Sequence, residues 1–206
     1  MLIRLLFSDP ATFILIAIPL LYSLIIHEVA HGWVADKMGD STARWLGRLS
    51  LDPHRHLDPV GTLMLLFFGF GWAKPVPVNF GNLRPHRRGL IFVSAAGIMA
   101  NIILAFLALL VLNTVHFRLF SPFARGLQYL AQINIMLASF NLIPIPPLDG
   151  SKILMGFSSR SFQYTLQRLE PYGFFIIIGL LYLGVLDPLI MFFQWLIMAL
   201  ISLIVG

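Results

Sequence analysis

Five consecutive residues, His27-Glu28-Val29-Ala30-His31, have the types and spacing for metal-assisted hydrolysis. On an α-helix, side chains four apart lie on one face, so both imidazoles can reach a single metal ion. Glu28, beside the first histidine, then points toward the open position of the metal, where a carboxylate can take a proton from water. In a soluble sequence this pattern is only moderately specific. Here Glu28 is the one formally charged residue between Pro10 and Ala35. Three polar groups deep in an apolar segment are costly without a function or a partner, which favours chemistry over a structural hydrogen-bond cluster.

Two imidazoles do not complete such a site. A catalytic zinc takes three protein ligands and keeps one position for water or substrate. The third ligand must come from a region at the same depth, and Asp149 is the only acidic residue from Val60 through Arg168. The choice is nearly forced unless another histidine serves. Pro144, Pro146 and Pro147 break helical hydrogen bonding just before it, so Asp149 can turn inward while freed backbone groups line a polar cavity. Its structural alternative is the N-cap of a following helix, and the two roles can coexist. Asn141, eight residues earlier, has an amide able to donate to the oxyanion of a tetrahedral intermediate. Asn101 can do the same, but beside Gly97 it is favoured as helix–helix glue. His54 and His56, with Asp58, sit in a Pro-rich loop among charged residues and are read as loop hydrogen-bonding groups rather than a second metal site. His86 and His116 flank apolar spans and are read as interfacial.

The elements that position these residues must be membrane helices. The 206 residues are 58% hydrophobic and only 11% charged, against roughly 25% charged in a soluble domain. Mean hydropathy is +0.86. So few charges cannot cover a water-facing surface, so a lipid bilayer must cover much of it, and the expected unit is a single intramembrane domain over residues 1–206. The absence of cysteine excludes disulfides and thiolate ligands. Net charge is +5, but the cations lie between apolar segments and no basic face with interleaved aromatics appears, so no nucleic-acid partner is expected. Arg4 before an apolar stretch resembles a signal peptide, yet no small-residue cleavage site follows, and the stretch is read as part of the mature protein.

Five uncharged or nearly uncharged stretches predict about five membrane helices in an all-α polytopic fold: residues 10–35, 89–115, 126–148, 171–186 and 188–206. The fourth is short, so the last two form either two tilted spans or a hairpin. Pro19 is a candidate kink in the first. Between the first two lies an apolar island, Gly61–Trp72, too short to cross and therefore re-entrant or interfacial. Pro75-Val76-Pro77-Val78 after it reads as an edge strand. Eleven lysines and arginines fall in the loops after the first and third spans and three on the other side. The positive-inside rule then places the N-terminus outside and the active site near the cytoplasmic face of a cell membrane.

HEVAH in the first long helix, with Asn141-Leu142-Ile143-Pro144-Ile145-Pro146-Pro147-Leu148-Asp149-Gly150, resembles the site-2 protease family of intramembrane zinc metalloproteases. Ser94-Ala95-Ala96-Gly97-Ile98-Met99-Ala100-Asn101 resembles that family's GxxxN segment, and Trp72-Ala73-Lys74-Pro75-Val76-Pro77-Val78-Asn79 the region before it in small bacterial and archaeal members. The likeness covers roughly residues 20–155. Ile98 departs from it, standing where many members have proline. No PDZ-like insertion is expected. The resemblance implies His27, His31 and Asp149 as Zn²⁺ ligands and Glu28 as catalytic acid/base, acting on membrane-protein or membrane-tethered peptide substrates. Two other classes compete: a membrane metal-ion transporter, which distributes its ligands along a path rather than at one depth, and a noncatalytic membrane binding protein, which has no need of Glu28.

Overall fold

A long apolar segment in lipid must close its hydrogen bonds within itself, and the α-helix does so locally. In the computed structural model, which describes residues 2–68, 71–118 and 121–205, all regular structure is helical. A short α1 (Leu2–Ser8) leads into α2 (Pro10–Lys37). Asp9 caps α2 by accepting from the Thr12 amide at 3.1 Å, and Pro10 opens it where a missing N–H costs nothing. The helix continues through Pro19. Then come α3 (Thr42–Trp45), α4 (Pro59–Phe68), α5 (His86–Thr114), α6 (Pro122–Asn141), α7 (Asp149–Phe157), α8 (Arg160–Leu169), α9 (Gly173–Tyr182) and α10 (Asp187–Val205), with three short 3₁₀ turns between them.

Three of these, α2, α5 and α10, are long and apolar enough to cross a membrane. Their outward faces carry exposed Ile14 and Ile18, Phe92, Met99, Ile103 and Leu107, and Met191, Trp195 and Leu203. Water would reject such a surface, and acyl chains suit it. Helix α6 matches α10 in length but carries Gln128, Gln132, Asn134 and Asn141. Helix α9 spans ten residues, about 15 Å at 1.5 Å per residue, half of a hydrocarbon core. Of the two readings of the tail, two tilted spans or a hairpin, the ten-residue α9 is compatible with the hairpin. The chain turns after α9 through Gly184, whose φ of 68° is the left-handed conformation that favours glycine at a helix end. Helix α4 holds most of the Gly61–Trp72 island, of which residues 69 and 70 lie outside the described residues.

The expected edge strand is not formed; there is no β-strand among the described residues. Pro75 and Pro77 have no N–H, and three of the remaining donors of residues 71–79 find partners other than a ladder. Lys74 donates to His56 O at 2.7 Å, Val76 to Glu28 Oε2 at 2.8 Å and Asn79 to Asp40 Oδ2 at 2.7 Å. Extended backbone without a neighbouring strand is stapled here, not zipped.

Helix α5 is central, packing against α2, α6 and α7, while α6 also meets α2 and α10. Its buried stripe, Leu90, Ser94, Gly97, Asn101, Ala105 and Ala108, recurs every three or four residues and is mostly small. Small side chains let backbones approach where lipid supplies no hydrophobic drive. Ile98 and Ala105 join Ile135, Ala138, Ile197 and Ile201 in one core cluster, which ties α10 to α5 and α6. Ile143, Ile177 and Leu186 form another, which holds the loop before α7 against α9. The two basic loops meet at one end of the bundle, where Arg87 Nη2 donates to Ser158 O at 3.1 Å. At the other end Arg125 Nη2 donates to Thr12 Oγ1 at 3.2 Å.

Candidate active site

His27 and His31 lie four residues apart on α2 and face α5 rather than lipid; both are buried. Their approach to α5 depends on Gly97. A Cβ there would stand 2.5 Å from His31 Nε2 and 2.6 Å from His27 Nε2, closer than carbon tolerates. The loop Leu142–Leu148, bent by its prolines, delivers Asp149 as the first residue of α7, with Leu148 in the capping position. Gly150 permits this bend, since a Cβ on it would collide with the Leu142 and Ile143 carbonyls.

The result is a convergence of three ligand atoms. His27 Nε2 and His31 Nε2 are 2.9 Å apart and lie 3.1 and 3.2 Å from Asp149 Oδ2. The imidazole planes are nearly perpendicular, at 88°. His31 Nδ1 sits 2.6 Å from Val93 O, a carbonyl that only accepts, so this nitrogen carries the proton and Nε2 presents its lone pair. Asp149 Oδ2 is buried with no hydrogen-bond donor. Electron-rich atoms packed this closely repel unless a cation or protons stand among them. Two neutral imidazoles and one carboxylate form the donor set of a catalytic zinc centre, so the residues fit the metal. Among the described residues this is the one group of three histidine or acidic side chains arranged to hold an ion.

The centre opens on a cleft of about 670 Å³ lined by Glu28, Asn141, Lys152 and the 71–78 segment. Its other walls are mostly apolar, Leu24, Val93, Leu137, Phe140 and Pro147 among them, with Ser94 a polar exception. Glu28 is half-buried, and its Oε2 accepts from the Val76 amide. Asn141 reaches the cleft but also donates to Leu137 O at 3.0 Å, which occupies one of its two amide hydrogens. The segment bearing Val76 is pinned from outside as well. Arg48 Nη2 donates to the Lys74 and Pro75 carbonyls at 2.9 and 3.2 Å. Asp40 is fully buried and accepts from Asn79 N, Asn82 Nδ2 and Thr42 Oγ1. Burial pushes the Asp40 carboxyl up, but hydrogen bonds from Thr42, Asn82 and the Asn79 amide outweigh it and hold the group below the usual carboxylate range.

His54 is exposed, while His56 is buried with Nε2 2.7 Å from Ser50 O; neither belongs to the metal group. Asn101 does link helices, but through His27, whose Nδ1 lies 2.6 Å from Asn101 Oδ1. Sequence reasoning missed Asn134, Ser23 and Asp40. Asn101 Nδ2 donates to Asn134 Oδ1 at 2.8 Å, and Asn134 Nδ2 donates to Ser23 Oγ at 2.7 Å. The available signal was the amide itself: a polar side chain inside an apolar stretch, two helical turns before Asn141.

The sequence model of peptidase family M50 matches residues 118–184, which include Asn141 and Asp149. A Bacillus subtilis protein named "Putative zinc metalloprotease YwhC" is 40% identical over 172 residues, covering 80% of this chain and 78% of the relative. The chain belongs to peptidase family M50, the site-2 protease family. This M50 chain is also 30% identical over 182 residues to "Putative zinc metalloprotease Rip2" of Mycolicibacterium smegmatis, covering 84% of the chain and 69% of the relative. With "Putative zinc metalloprotease MJ0611" of Methanocaldococcus jannaschii it shares 33% over 166 residues, 74% and 77% of the two chains. No solved structure matches.

Proposed function

We propose that this M50 chain is an intramembrane zinc metalloendopeptidase, with His27, His31 and Asp149 as metal ligands and Glu28 as catalytic acid/base. The observation that carries the assignment is the meeting of Asp149 Oδ2 with two imidazole nitrogens in a buried cleft whose rim holds Glu28. A zinc bound by this donor set supplies Lewis-acid polarisation of a carbonyl and activation of water near neutral pH. Glu28 accepts the proton of the attacking water and passes it to the leaving amine. The Val76 amide holds one carboxylate oxygen and so orients the other toward the cleft. Asn141 is assigned the oxyanion, using the amide hydrogen not given to Leu137. A substrate helix has its amides bonded internally, so it must unwind to present a scissile bond among these groups.

The finer architecture belongs to the same reading. Residues 1–206 form one intramembrane domain in a multi-pass cell-membrane protein. Helix α6 makes a fourth crossing, with Asn134 and Asn141 turned inward while Gln128 and Gln132 are exposed, and α4 lies at the interface as a short re-entrant element. The basic loops gather at the end where the cleft opens, which supports an active site near the cytoplasmic face.

Glu28→Gln tests the chemistry without disturbing the fold, because the amide oxygen still accepts from Val76. Proton transfer by a positioned side chain contributes about 10²–10⁴ in rate, so turnover of a membrane-embedded peptide should fall by at least that order. Zinc content should stay at the wild-type level. A variant as active as wild type, with zinc bound in both, would end this mechanism.

A further inference from the structure

The two imidazoles reach the centre with the same nitrogen, Nε2, yet their other nitrogens meet different partners. For His31 the partner is a backbone carbonyl, Val93 O, which settles the tautomer directly. For His27 it is the side chain of Asn101, whose amide carries an acceptor at one end and a donor at the other. By itself such an amide settles nothing, since turned over it would present N–H to His27 Nδ1. The imidazole would then carry its proton on Nε2, where it blocks a metal.

The neighbouring bonds remove that freedom. Asn134 lies 2.8 Å from Leu130 O, and a carbonyl only accepts, so the Asn134 nitrogen must face it. That leaves Asn134 Oδ1 facing Asn101, which must present its own nitrogen at 2.8 Å. Asn101 Oδ1 is then the atom 2.6 Å from His27 Nδ1. Ser23 Oγ, 2.7 Å from Asn134 Nδ2, can accept in the same sense because a hydroxyl rotates. Asn101, Asn134 and Ser23 are fully buried, so water offers no alternative partner that would let an amide turn. We propose that Asn101 and Asn134 form a polarity relay that copies the acceptor character of the Leu130 carbonyl onto His27, holding it protonated on Nδ1 with Nε2 free for the metal. Both are positioning residues, and the proposal rests on the reading of His27 as a ligand.

The test uses the full chain in detergent micelles, with nitrogen-labelled histidine and zinc as the probe. In zinc-free wild type, side-chain NMR should find His27, assigned by its loss in His27→Ala, protonated on Nδ1. This measurement needs no relay variant to fold, and a His27 Nδ1 without its proton would overturn the proposal. Asn134→Leu frees the Asn101 amide to turn, and zinc affinity should fall about 10–100-fold, the usual effect of losing an outer partner of a metal-binding histidine. Asn101→Asp cannot turn a donor toward His27, so Asn134→Leu with Asn101→Asp should regain both zinc affinity and the Nδ1 proton. A packing role predicts the opposite, a double variant weaker than Asn134→Leu alone, and that result would sink the relay. Should His27→Ala retain zinc as tightly as wild type, the ligand assignment fails and the relay with it. Should His27→Ala lose zinc while Asn134→Leu keeps it fully, only the relay fails.

Discussion

At the scale of single residues, the centre depends on what is absent as much as on what is present. Gly97 leaves the space into which both imidazoles fit. Gly97→Ala places a methyl group 2.5–2.6 Å from His31 Nε2, His27 Nε2 and His27 Cε1, so the rings or the helix must move by several tenths of an ångström. Metal sites are sensitive on that scale, since ligand distances are set to within about 0.2 Å. The expected outcome is a folded protein that releases zinc to a chelator at least tenfold faster than wild type, measured by competition with a chromogenic chelator. Equal release rates would mean that α5 does not press on the ligands as described.

At the scale of elements, the cleft wall formed by residues 71–79 has no sheet to belong to and is held by its ends and by Glu28. Asp40, just past the end of α2, is the anchor at the Asn79 end. Its folded-state carboxyl lies below its unfolded value of about 3.9, so it contributes stability that is present above that pH and lost as pH falls through the folded value. Asp40→Asn places an amide among donors and leaves at least one of them without a partner, a cost of about 1–3 kcal/mol. Thermal unfolding in detergent should show the variant less stable than wild type at pH 7, with the gap closing as pH falls below about 3.9. Turnover should also drop, because a loosened wall no longer holds the Val76 amide against Glu28. A gap that is constant from pH 7 into acid would remove Asp40 as the anchor.

At the scale of the whole molecule, the packing is consistent with the orientation expected from the charges. Arg87 meets Ser158 at one end of the bundle and Arg125 meets Thr12 at the other, so the basic loops share a side. With eleven lysines and arginines in those loops and three opposite, the loops are expected to face the cytoplasm. Ser41→Cys and Ser121→Cys, made singly, should then label from opposite sides of the membrane with an impermeant thiol reagent. No native cysteine interferes. Labelling of Ser41→Cys from outside intact cells would reverse the orientation and move the cleft to the other face.

Features set by local spacing, composition or elimination were legible in the residues alone. Imidazoles four apart on a helix share a face whatever surrounds them, apolar composition demands lipid, and one acidic residue over more than a hundred positions left Asp149 little competition. The tertiary structure decided what depends on distant atoms meeting. Residues 171–186 could be read as a tilted span or as half of a hairpin, and the structure shows α9 covering ten of them, stacked against the loop that delivers Asp149. The Val/Pro alternation permitted a strand, yet strands need a partner and none approaches among the described residues. The Asn101–His27 and Asn134–Ser23 contacts join residues 74 and 111 positions apart. Periodicity shows that an amide faces inward, but which atom it meets is settled only when small residues let three helices close together, because a hydrogen bond tolerates only tenths of an ångström.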